Sequence, residues 1–292
     1  MVKNAVDLHL HSYYSDGMCS PEELMLKAKN NKLKAVSLTD HDTIKGLPEA
    51  IKYGKKYGLE VVPGIEISCN YKERELHILG YYFYLPGRLE HLLKKFKKGR
   101  YSRARDMLDR LKSLGIELSW EELECEAGDA APGRVHFARL MVKKGYVGNL
   151  KKAFDVYLGT GKPAYLPRKK LDCGEVIEIL KESGAVIVLA HPGITGETMK
   201  SIRELKKLGI EGIEVLHPEH GLLQKIKYWC IAKKERMLIS GGTDFHGDDS
   251  EMLPGSTPVT YRRLSSIKKQ KSAKRIGFQV FLSGHNNGKI NE

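Results

Sequence analysis

The chain opens with a pattern in which apolar and polar residues alternate. Alternation from Ala5 onward predicts a strand, and its period of two places His9 and His11 on the same face. Helical spacing follows, with a Ser-Pro-Glu-Glu start that is typical of a capped helix. An apolar run over 34–38 and a helical stretch over about 43–57 then predict strand, helix, strand, helix, the order of an α/β protein.

Further apolar runs predict strands that carry polar side chains. The run over 60–68 turns polar at Glu66, and the run over 75–82 carries His77. A carboxylate in an apolar strand is costly unless it is paired or ligates a cation, so Glu66 needs a partner. Three later strands deliver histidines or carboxylates at their C-terminal ends: His191; His217 and His220; Asp244 and His246. Because parallel β/α barrels assemble their sites at this rim, these side chains are expected to meet.

Between residues 86 and 167 the pattern changes, and basic amphipathic helical stretches replace the strands. A capping box at Ser119 marks one helix start in this region. We therefore predict a mainly helical cap inserted into an α/β core that is formed by residues 1–85 and 168–292. The last residues, from Gly284, are expected to be loosely held.

Composition excludes several classes of protein. The chain has 292 residues, 41% of them hydrophobic, which is enough for a large core. We expect a cytoplasmic protein without a membrane segment, because no apolar run approaches the roughly 20 residues that span a bilayer and nothing at the start resembles a signal peptide. The five cysteines are scattered without a Cys-x-x-Cys pair, which argues against a disulfide framework or a thiolate zinc site.

Charge adds a weaker indication. The 49 lysines and arginines exceed the 36 acidic residues, and the net charge of +13 would attract polyanions such as nucleic acid. The positive charge is spread over many short runs, however, and most such runs are solvated faces. The charge mildly favours RNA as a substrate.

Nine side chains have the chemistry of metal ligands: His9, His11, Asp16, His41, Glu66, His77, His191, Asp244 and His246. This number exceeds what one tetrahedral ion requires, so we expect two or three clustered divalent ions. Imidazole and carboxylate ligands without thiolates suit Mn, Fe or Zn, and a carboxylate such as Glu66 could bridge two of the ions.

The segments that carry these residues resemble the PHP (polymerase and histidinol phosphatase) family of metal-dependent phosphoesterases. They are His9-Leu10-His11, Ser15-Asp16-Gly17, Thr39-Asp40-His41-Asp42, Gly64-Ile65-Glu66, His191-Pro192-Gly193 and Thr243-Asp244-Phe245-His246. The resemblance implies a distorted seven-stranded β/α barrel with a trinuclear metal centre. It further implies the following allocation: His9, His11 and Asp244 on one ion, His77 and His191 on a second, Asp16, His41 and His246 on a third, and Glu66 as the bridge between the first two.

The predicted cap narrows the choice within that family. The segments over 133–136 and 157–165 resemble the cap of stand-alone members that act as 3′,5′-nucleoside bisphosphate phosphatases, some relatives of which are 5′-to-3′ exonucleases on short RNA. By this resemblance Arg134 and His136 are expected to contact a substrate phosphate. The implied reaction is hydrolysis of the 3′-phosphate ester by a metal-bridging hydroxide, which comes from a water held by Glu66, Asp244 and His191.

Other hypotheses remain open. A histidinol phosphate phosphatase could use the same metals but would not need Arg134 and His136. A non-catalytic module that binds metal or nucleic acid is another class, although the loss of ligands that would indicate it is not visible. A deaminase of the amidohydrolase type also begins with His-x-His, but Asp16 and Glu66 argue against it. The roles of His217 and His220 stay undecided, His91 and His285 are interpreted as surface residues, and no membrane or obligate protein partner is expected.

Overall fold

The computed structural model describes residues 4–128, 130–167, 170–247 and 252–273. The strands are β1 (Ala5–Leu10), β2 (Ala35–Leu38), β3 (Glu60–Tyr71), β4 (Arg74–Tyr81), β5 (Leu171–Asp172), β6 (Val186–Leu189), β7 (Gly212–Leu216), β8 (Leu238–Gly241) and β9 (Val259–Thr260). The helices are α1 (Pro21–Asn30), α2 (Leu47–Tyr57), α3 (Gly87–Ser113), α4 (Trp120–Ala127), α5 (Arg134–Lys143), α6 (Leu150–Ala153), α7 (Cys173–Glu182), α8 (Met199–Leu208), α9 (Leu222–Lys234) and α10 (Tyr261–Ala273). A π-helical turn, Phe154–Leu158, follows α6. The prediction for the terminal segment from Gly284, including His285, lies outside the described residues.

The described strands form one mixed sheet in the order β8-β7-β6-β4-β3-β2-β1-β9, with β5 beside β3. β1, β2 and β3 are parallel to one another, and so are β6, β7 and β8. A bridge between Leu10 and Phe245 joins β1 to the segment after β8, so the sheet is a nearly closed barrel. The predicted α/β fold of the distorted barrel type is confirmed.

One strand departs from the parallel arrangement. β4 runs antiparallel to β3 and β6 because Lys72 and Glu73 reverse the chain directly after β3, with φ of 49° and 65°. Two consecutive positive φ angles are those of a type I′ hairpin turn. As a result the first half of β4, which contains His77, lies at the same rim as the C-terminal ends of the parallel strands. His77 therefore reaches the rim from the opposite chain direction to the other predicted ligands.

Helices cover the outside of the barrel; α1 lies where the sequence predicts it, and α2 begins about four residues later than predicted. Ser20 caps α1 and Ser119 caps α4, each through the predicted capping box. The apolar faces of α1, α2, α7, α8 and α9 pack on the strands and form the main core. The chain from α3 to Leu166 has an apolar cluster of its own, which includes Met107, Leu111 and Phe137. The division into a core of residues 1–85 and 168–292 and a cap of residues 86–167 stays a prediction.

Within the described residues, no helix combines the length and the apolar character needed to cross a bilayer. All five cysteines are free. The cytoplasmic location stays a prediction.

Gly242 lies where the segment after β8 passes β1 without room for a side chain. A Cβ at this position would lie 2.4 Å from His9 Cβ and 2.5 Å from the His9 backbone nitrogen. Gly242→Ala must therefore push the two segments apart, and we expect it to destabilise the protein by about 1–3 kcal/mol in urea unfolding. As a control, Gly99→Ala in the exposed middle of α3 meets nothing within 4 Å and should stabilise by about 0.5–1 kcal/mol. Equal effects of the two substitutions would contradict this assignment.

Candidate metal centre

β1 places two imidazoles side by side at the rim of the barrel. His9 and His11 are fully buried, and their ring centroids lie 5.1 Å apart. The segment after β8 is attached to β1 by a hydrogen bond from the Asp244 backbone nitrogen to the His9 carbonyl, at 2.9 Å. This attachment brings Asp244 Oδ1 to 2.9 Å from His11 Nε2 and 3.3 Å from His9 Nε2. The two histidines and the aspartate that were predicted to share an ion therefore lie together.

The Glu66 carboxylate lies fully buried at the middle of the site. Its Oε2 lies 3.2 Å from Nε2 of both His9 and His11, and 3.1 Å from Nδ1 of His41. Its Oε1 lies 3.0 Å from His77 Nδ1 and 3.1 Å from His191 Nε2. Five imidazoles from four segments of the chain thus surround one carboxylate, and the predicted need of Glu66 for partners is met.

Asp16 is the centre of a second group of side chains, at the more open side of the site. Its Oδ1 lies 3.4 Å from His246 Nε2 and 3.8 Å from His11 Nδ1, and its Oδ2 lies 3.7 Å from His41 Nε2. The rings of His11 and His246 stack with centroids 4.3 Å apart. All nine residues predicted as ligands are therefore brought to one region of the rim.

The donor atoms of this cluster fit bound cations better than they fit one another. Although many of them are about 3 Å apart, several lack a hydrogen-bond partner among the described residues: His9 Nε2, both ring nitrogens of His11, Asp16 Oδ1, His41 Nδ1, Glu66 Oε2, His77 Nδ1, His191 Nδ1 and Asp244 Oδ1. Unpaired buried polar atoms are costly. Two ligands that are each about 2.1 Å from a shared ion lie about 3.0–3.4 Å from each other, which is the spacing seen here. The residues present therefore fit divalent metal ions.

Three overlapping groups of potential ligands have atoms within 4.8 Å of one another. They are His9, His11, Glu66 and Asp244; His11, Asp16, His41 and His246; and His41, Glu66 and His77. The first group contains the three residues predicted for one ion together with the predicted bridge. His11 and His41 each belong to two groups, and His191 reaches the cluster through Glu66 Oε1. The number of ions and their individual ligands stay a prediction.

The electrostatics of the cluster follow from burial and close opposite charges. Burial alone would lower the pKa of His11, but Asp244 and Glu66 raise it to about 10. Burial likewise opposes charge on His77, whose pKa Glu66 and Glu75 raise to about 10. Burial favours the neutral form of Glu66, yet the surrounding imidazoles hold the pKa of this carboxyl well below its usual range. The carboxylates are therefore ionised, and they demand positive charge beside them.

One residue at the centre was missed by the sequence analysis. Glu214 on β7 is fully buried, and its Oε1 accepts a hydrogen bond from His9 Nδ1 at 3.0 Å. Its Oε2 accepts from the His191 backbone nitrogen at 2.8 Å. With the proton of His9 held on Nδ1, Nε2 keeps its lone pair toward Glu66 and Asp244. The signal was present in the sequence, since Glu214 is a carboxylate in an apolar strand, as Glu66 is.

The structure separates the two histidines whose roles were left undecided. His217 Nδ1 accepts a hydrogen bond from the Glu219 backbone nitrogen at 3.3 Å, so the ring proton lies on Nε2, 3.5 Å from Asp244 Oδ2. His220 uses both ring nitrogens on the backbone, accepting from Gly193 at 3.0 Å and donating to the Val215 carbonyl at 2.9 Å. His217 therefore borders the centre, whereas His220 supports the loop that carries His191.

The backbone at two of the strand ends is strained. His191 has a φ of 23° and Asp244 a φ of 52°, values that residues other than glycine rarely adopt. The cost of such conformations is of order 1–3 kcal/mol each, and the surrounding structure must supply it. At His191 the Glu214 and His220 contacts hold the loop, and at Asp244 the hydrogen bond to the His9 carbonyl does so.

The two predicted substrate residues lie at the start of α5. His136 is buried, and its Nδ1 accepts a hydrogen bond from the Gly133 backbone nitrogen at 3.0 Å. Burial and the nearby charges of Arg139 and Arg100 lower the pKa of His136 to about 4. Arg134 lies over the rings of Phe154 and Tyr165, 5.7 and 5.6 Å from their centroids. These roles in substrate binding stay predictions.

Comparisons with known proteins agree with this geometry. A family model described as the PHP domain matches residues 7–103. A 5′-3′ exoribonuclease of Haemophilus influenzae is 35% identical over 245 residues, which cover 82% of this chain and 89% of the relative. A 3′,5′-nucleoside bisphosphate phosphatase of Chromobacterium violaceum is 31% identical over 252 residues, which cover 82% of this chain and 87% of the relative. A solved structure from Bifidobacterium adolescentis, classed as a metal-dependent phosphoesterase, superposes with a TM-score of 0.85 at 25% identity, covering 92% of this chain and 98% of the other.

Metal binding should stabilise the fold because the ions bind only the folded arrangement. When Mn²⁺ is added to EDTA-treated protein at about 100 times its dissociation constant, we expect about 2.7 kcal/mol of stabilisation and a melting temperature higher by about 5–10 °C. Glu66→Gln should abolish most of this increase in differential scanning calorimetry. Glu178→Gln, at an exposed glutamate of α7, is the control and should leave it intact. A melting temperature that does not respond to the metal would refute the centre.

Glu214→Gln tests the orientation of His9. A glutamine can accept from either the His9 ring or the His191 backbone but not serve both as the carboxylate does, so we expect metal affinity to fall about 10- to 100-fold. Competition with a chelating dye measures this affinity directly. Glu219→Gln, at an exposed carboxylate after the same strand, should not change it. Unchanged affinity in Glu214→Gln would show that Glu214 does not support the centre.

Proposed function

Since the chain belongs to the PHP family of metal-dependent phosphoesterases, we propose that it hydrolyses the 3′-phosphate ester of nucleoside 3′,5′-bisphosphates and of short 5′-phosphorylated RNA. Two relatives that match most of the chain carry these two activities in their names. Both reactions break the ester at the 3′ oxygen of a nucleotide whose 5′ phosphate remains intact. One site could therefore serve both substrates.

The nine predicted ligands would hold two or three divalent ions, which we expect to be Mn, Fe or Zn because imidazoles and carboxylates surround them without thiolates. When bound, such ions lower the pKa of water toward about 7 and neutralise charge on phosphoryl oxygens. Glu66, Asp244 and His191 are the residues we expect to border the reacting water. Retention of all nine side chains supports an enzyme over a non-catalytic module.

The site has a fully buried side and a side that is partly open to solvent. The side chains of His9, His11 and Glu66 are not exposed at all, whereas those of Asp16, His246 and Asp244 are 34%, 29% and 21% exposed. The partly exposed side chains of Asp16, His246 and Asp244 therefore leave an approach for a phosphate on their side of the site. Burial keeps bulk water away from the Glu66 carboxylate and the histidines around it, which strengthens the charge interactions among them.

A substrate with two phosphates needs a second phosphate-binding site, and the start of α5 offers one. Because His136 Nδ1 accepts from Gly133, the proton of the neutral ring lies on Nε2, where it can be donated to a phosphate oxygen. Arg134, two residues before His136, has its guanidinium over the rings of Phe154 and Tyr165. Binding the 5′ phosphate at these residues would position the 3′ ester over the metal cluster.

The observation that carries this proposal is the cluster of three overlapping ligand groups, two of which contain the buried carboxylate of Glu66, together with Arg134 and His136 at the start of α5. The experiment that tests it supplies Mn²⁺ and compares adenosine 3′,5′-bisphosphate, a 5′-phosphorylated RNA oligomer and histidinol phosphate. We expect adenosine 5′-monophosphate and phosphate from the first and nucleoside 5′-monophosphates from the second. Faster hydrolysis of histidinol phosphate than of either nucleotide would overturn the proposal.

Arg134→Ala tests the proposed binding site for the 5′ phosphate. We expect kcat/KM for adenosine 3′,5′-bisphosphate to fall about 10- to 100-fold, the loss typical of a charged hydrogen bond, while hydrolysis of p-nitrophenyl phosphate stays nearly unchanged. Activity on p-nitrophenyl phosphate also shows that the variant is folded. Arg263→Ala removes an arginine that lies over Trp229 in the same manner, at 4.5 Å, and should affect neither substrate. Parallel losses on both substrates in Arg134→Ala would exclude a role in recognising the 5′ phosphate.

A further inference from the structure

Helix α3 carries an unusual share of the positive charge of the chain. Its 27 residues include ten lysines and arginines but only three acidic residues, whereas the net charge of all 292 residues is +13. More than half of the excess charge is therefore concentrated on one helix. The sequence alone left this charge unexplained, because runs of lysine are usually solvated faces.

A cavity of about 690 Å³ lies between α3 and a wall that contains Ser68 of β3 and Lys170, and we call it the α3 groove. Its charged lining residues are Lys95, Lys98, Arg100, Arg103, Lys170, Asp42 and Asp106. Asp42 is already neutralised by Arg100, whose guanidinium lies 2.8 Å from its Oδ2. Within the part of the chain that the structure describes, neither Lys95 nor Lys98 makes an ion pair, and both are exposed. The groove therefore presents a surplus of positive charge.

The α3 groove adjoins the metal centre. Asp42 follows the ligand candidate His41, and Ser68 lies opposite His77 in the β3–β4 pairing, two residues after Glu66. Lys170 forms an ion pair with Glu75, whose Oε1 is 3.3 Å from His77 Nε2. The groove thus begins at the His77 side of the cluster. Helix α5 contacts the Asp16 side of the site, where Arg139 donates a hydrogen bond to the Gly17 carbonyl at 3.2 Å.

One buried atom in the groove lacks a partner. Ser68 is 1% exposed, and its hydroxyl makes no hydrogen bond within the described residues. A buried hydroxyl in that state is costly unless a ligand or water completes it. Its position on the wall of the α3 groove gives a bound phosphate or ribose hydroxyl a donor at the end nearest the metal centre.

From these observations we propose that the α3 groove binds the ribose-phosphate chain on the 3′ side of the bond that is cleaved. This inference rests on the proposed function, since it assumes that the 5′ phosphate lies at the start of α5. A groove lined by cations is the usual form of a surface that follows the backbone of single-stranded nucleic acid, and Phe96 lines this groove while packing partly against the main core. The substrate is then single-stranded RNA that extends several nucleotides beyond the first, and the bisphosphate fills only part of the site.

The test measures how affinity depends on substrate length. With Mn²⁺, we expect KM to fall as 5′-phosphorylated RNA lengthens from two to four to eight nucleotides. Lys95→Gln/Lys98→Gln should raise KM for the eight-nucleotide RNA about 5- to 20-fold, leaving kcat and the bisphosphate reaction unchanged. The slope of log KM against log salt should become shallower by about 1.4, the value for two lost phosphate contacts on a single strand.

A matched control removes the same charge elsewhere. Lys207→Gln/Lys234→Gln changes two exposed lysines in the last turns of α8 and α9, away from the rim. It should leave the length dependence as in the natural protein. Equal effects of the two double variants would attribute RNA binding to the overall field and overturn the proposal, as would a KM that is independent of RNA length.

Binding without turnover separates this inference from the proposed function. In EDTA, fluorescence anisotropy of an eight-nucleotide RNA labelled at its 3′ end should show weaker binding to Lys95→Gln/Lys98→Gln than to the control variant. If neither bisphosphate nor RNA is hydrolysed with Mn²⁺ but this difference is found, the proposed function fails while the groove stands. If both are hydrolysed but the difference is absent, the groove fails alone.

Discussion

The structure depends above all on one buried negative charge, the carboxylate of Glu66, which five imidazoles surround. An ionised carboxylate taken from water into a protein interior costs several kcal/mol unless close positive charge offsets it. Neutral imidazoles alone do not supply that charge. Protons on the histidines or divalent ions among them must do so, and the donor atoms left without hydrogen bonds point to ions. The barrel is the means of holding these groups together.

The topology of the sheet makes this convergence possible. Parallel strands bring their C-terminal ends to one rim, which collects His9, His11, His191 and Asp244 from distant parts of the chain. The reversal at Lys72 and Glu73 makes β4 run back along β3, so that His77, in the first half of β4, lies at the same rim. Strained backbone at His191 and Asp244 fits this picture, since such conformations persist where the surrounding contacts fix them for function.

Much of this arrangement can be predicted from the sequence, and the features that were not predicted have identifiable physical reasons. The spacing of His9 and His11 and the polar residue at Glu66 predict the site because strand periodicity is local. The reversal of β4 was not predicted, since Lys72 and Glu73 occupy a turn that usually contains glycine or asparagine. Glu214 carried a readable signal that went unused. The α3 groove could not be predicted, because it forms only where α3, Ser68 of β3 and the segment around Lys170, which are distant in sequence, come together.

Anomalous diffraction from crystals soaked in Mn²⁺ tests the central claim most directly, because it locates the ions without reference to activity. Two or three peaks should appear inside the nine-residue cluster, at least one of them within bonding distance of Glu66 Oε2 together with His9 or His11. A single peak held by only three of these residues, or peaks elsewhere in the molecule, would contradict the claim that several cations offset the charge of the buried Glu66 carboxylate.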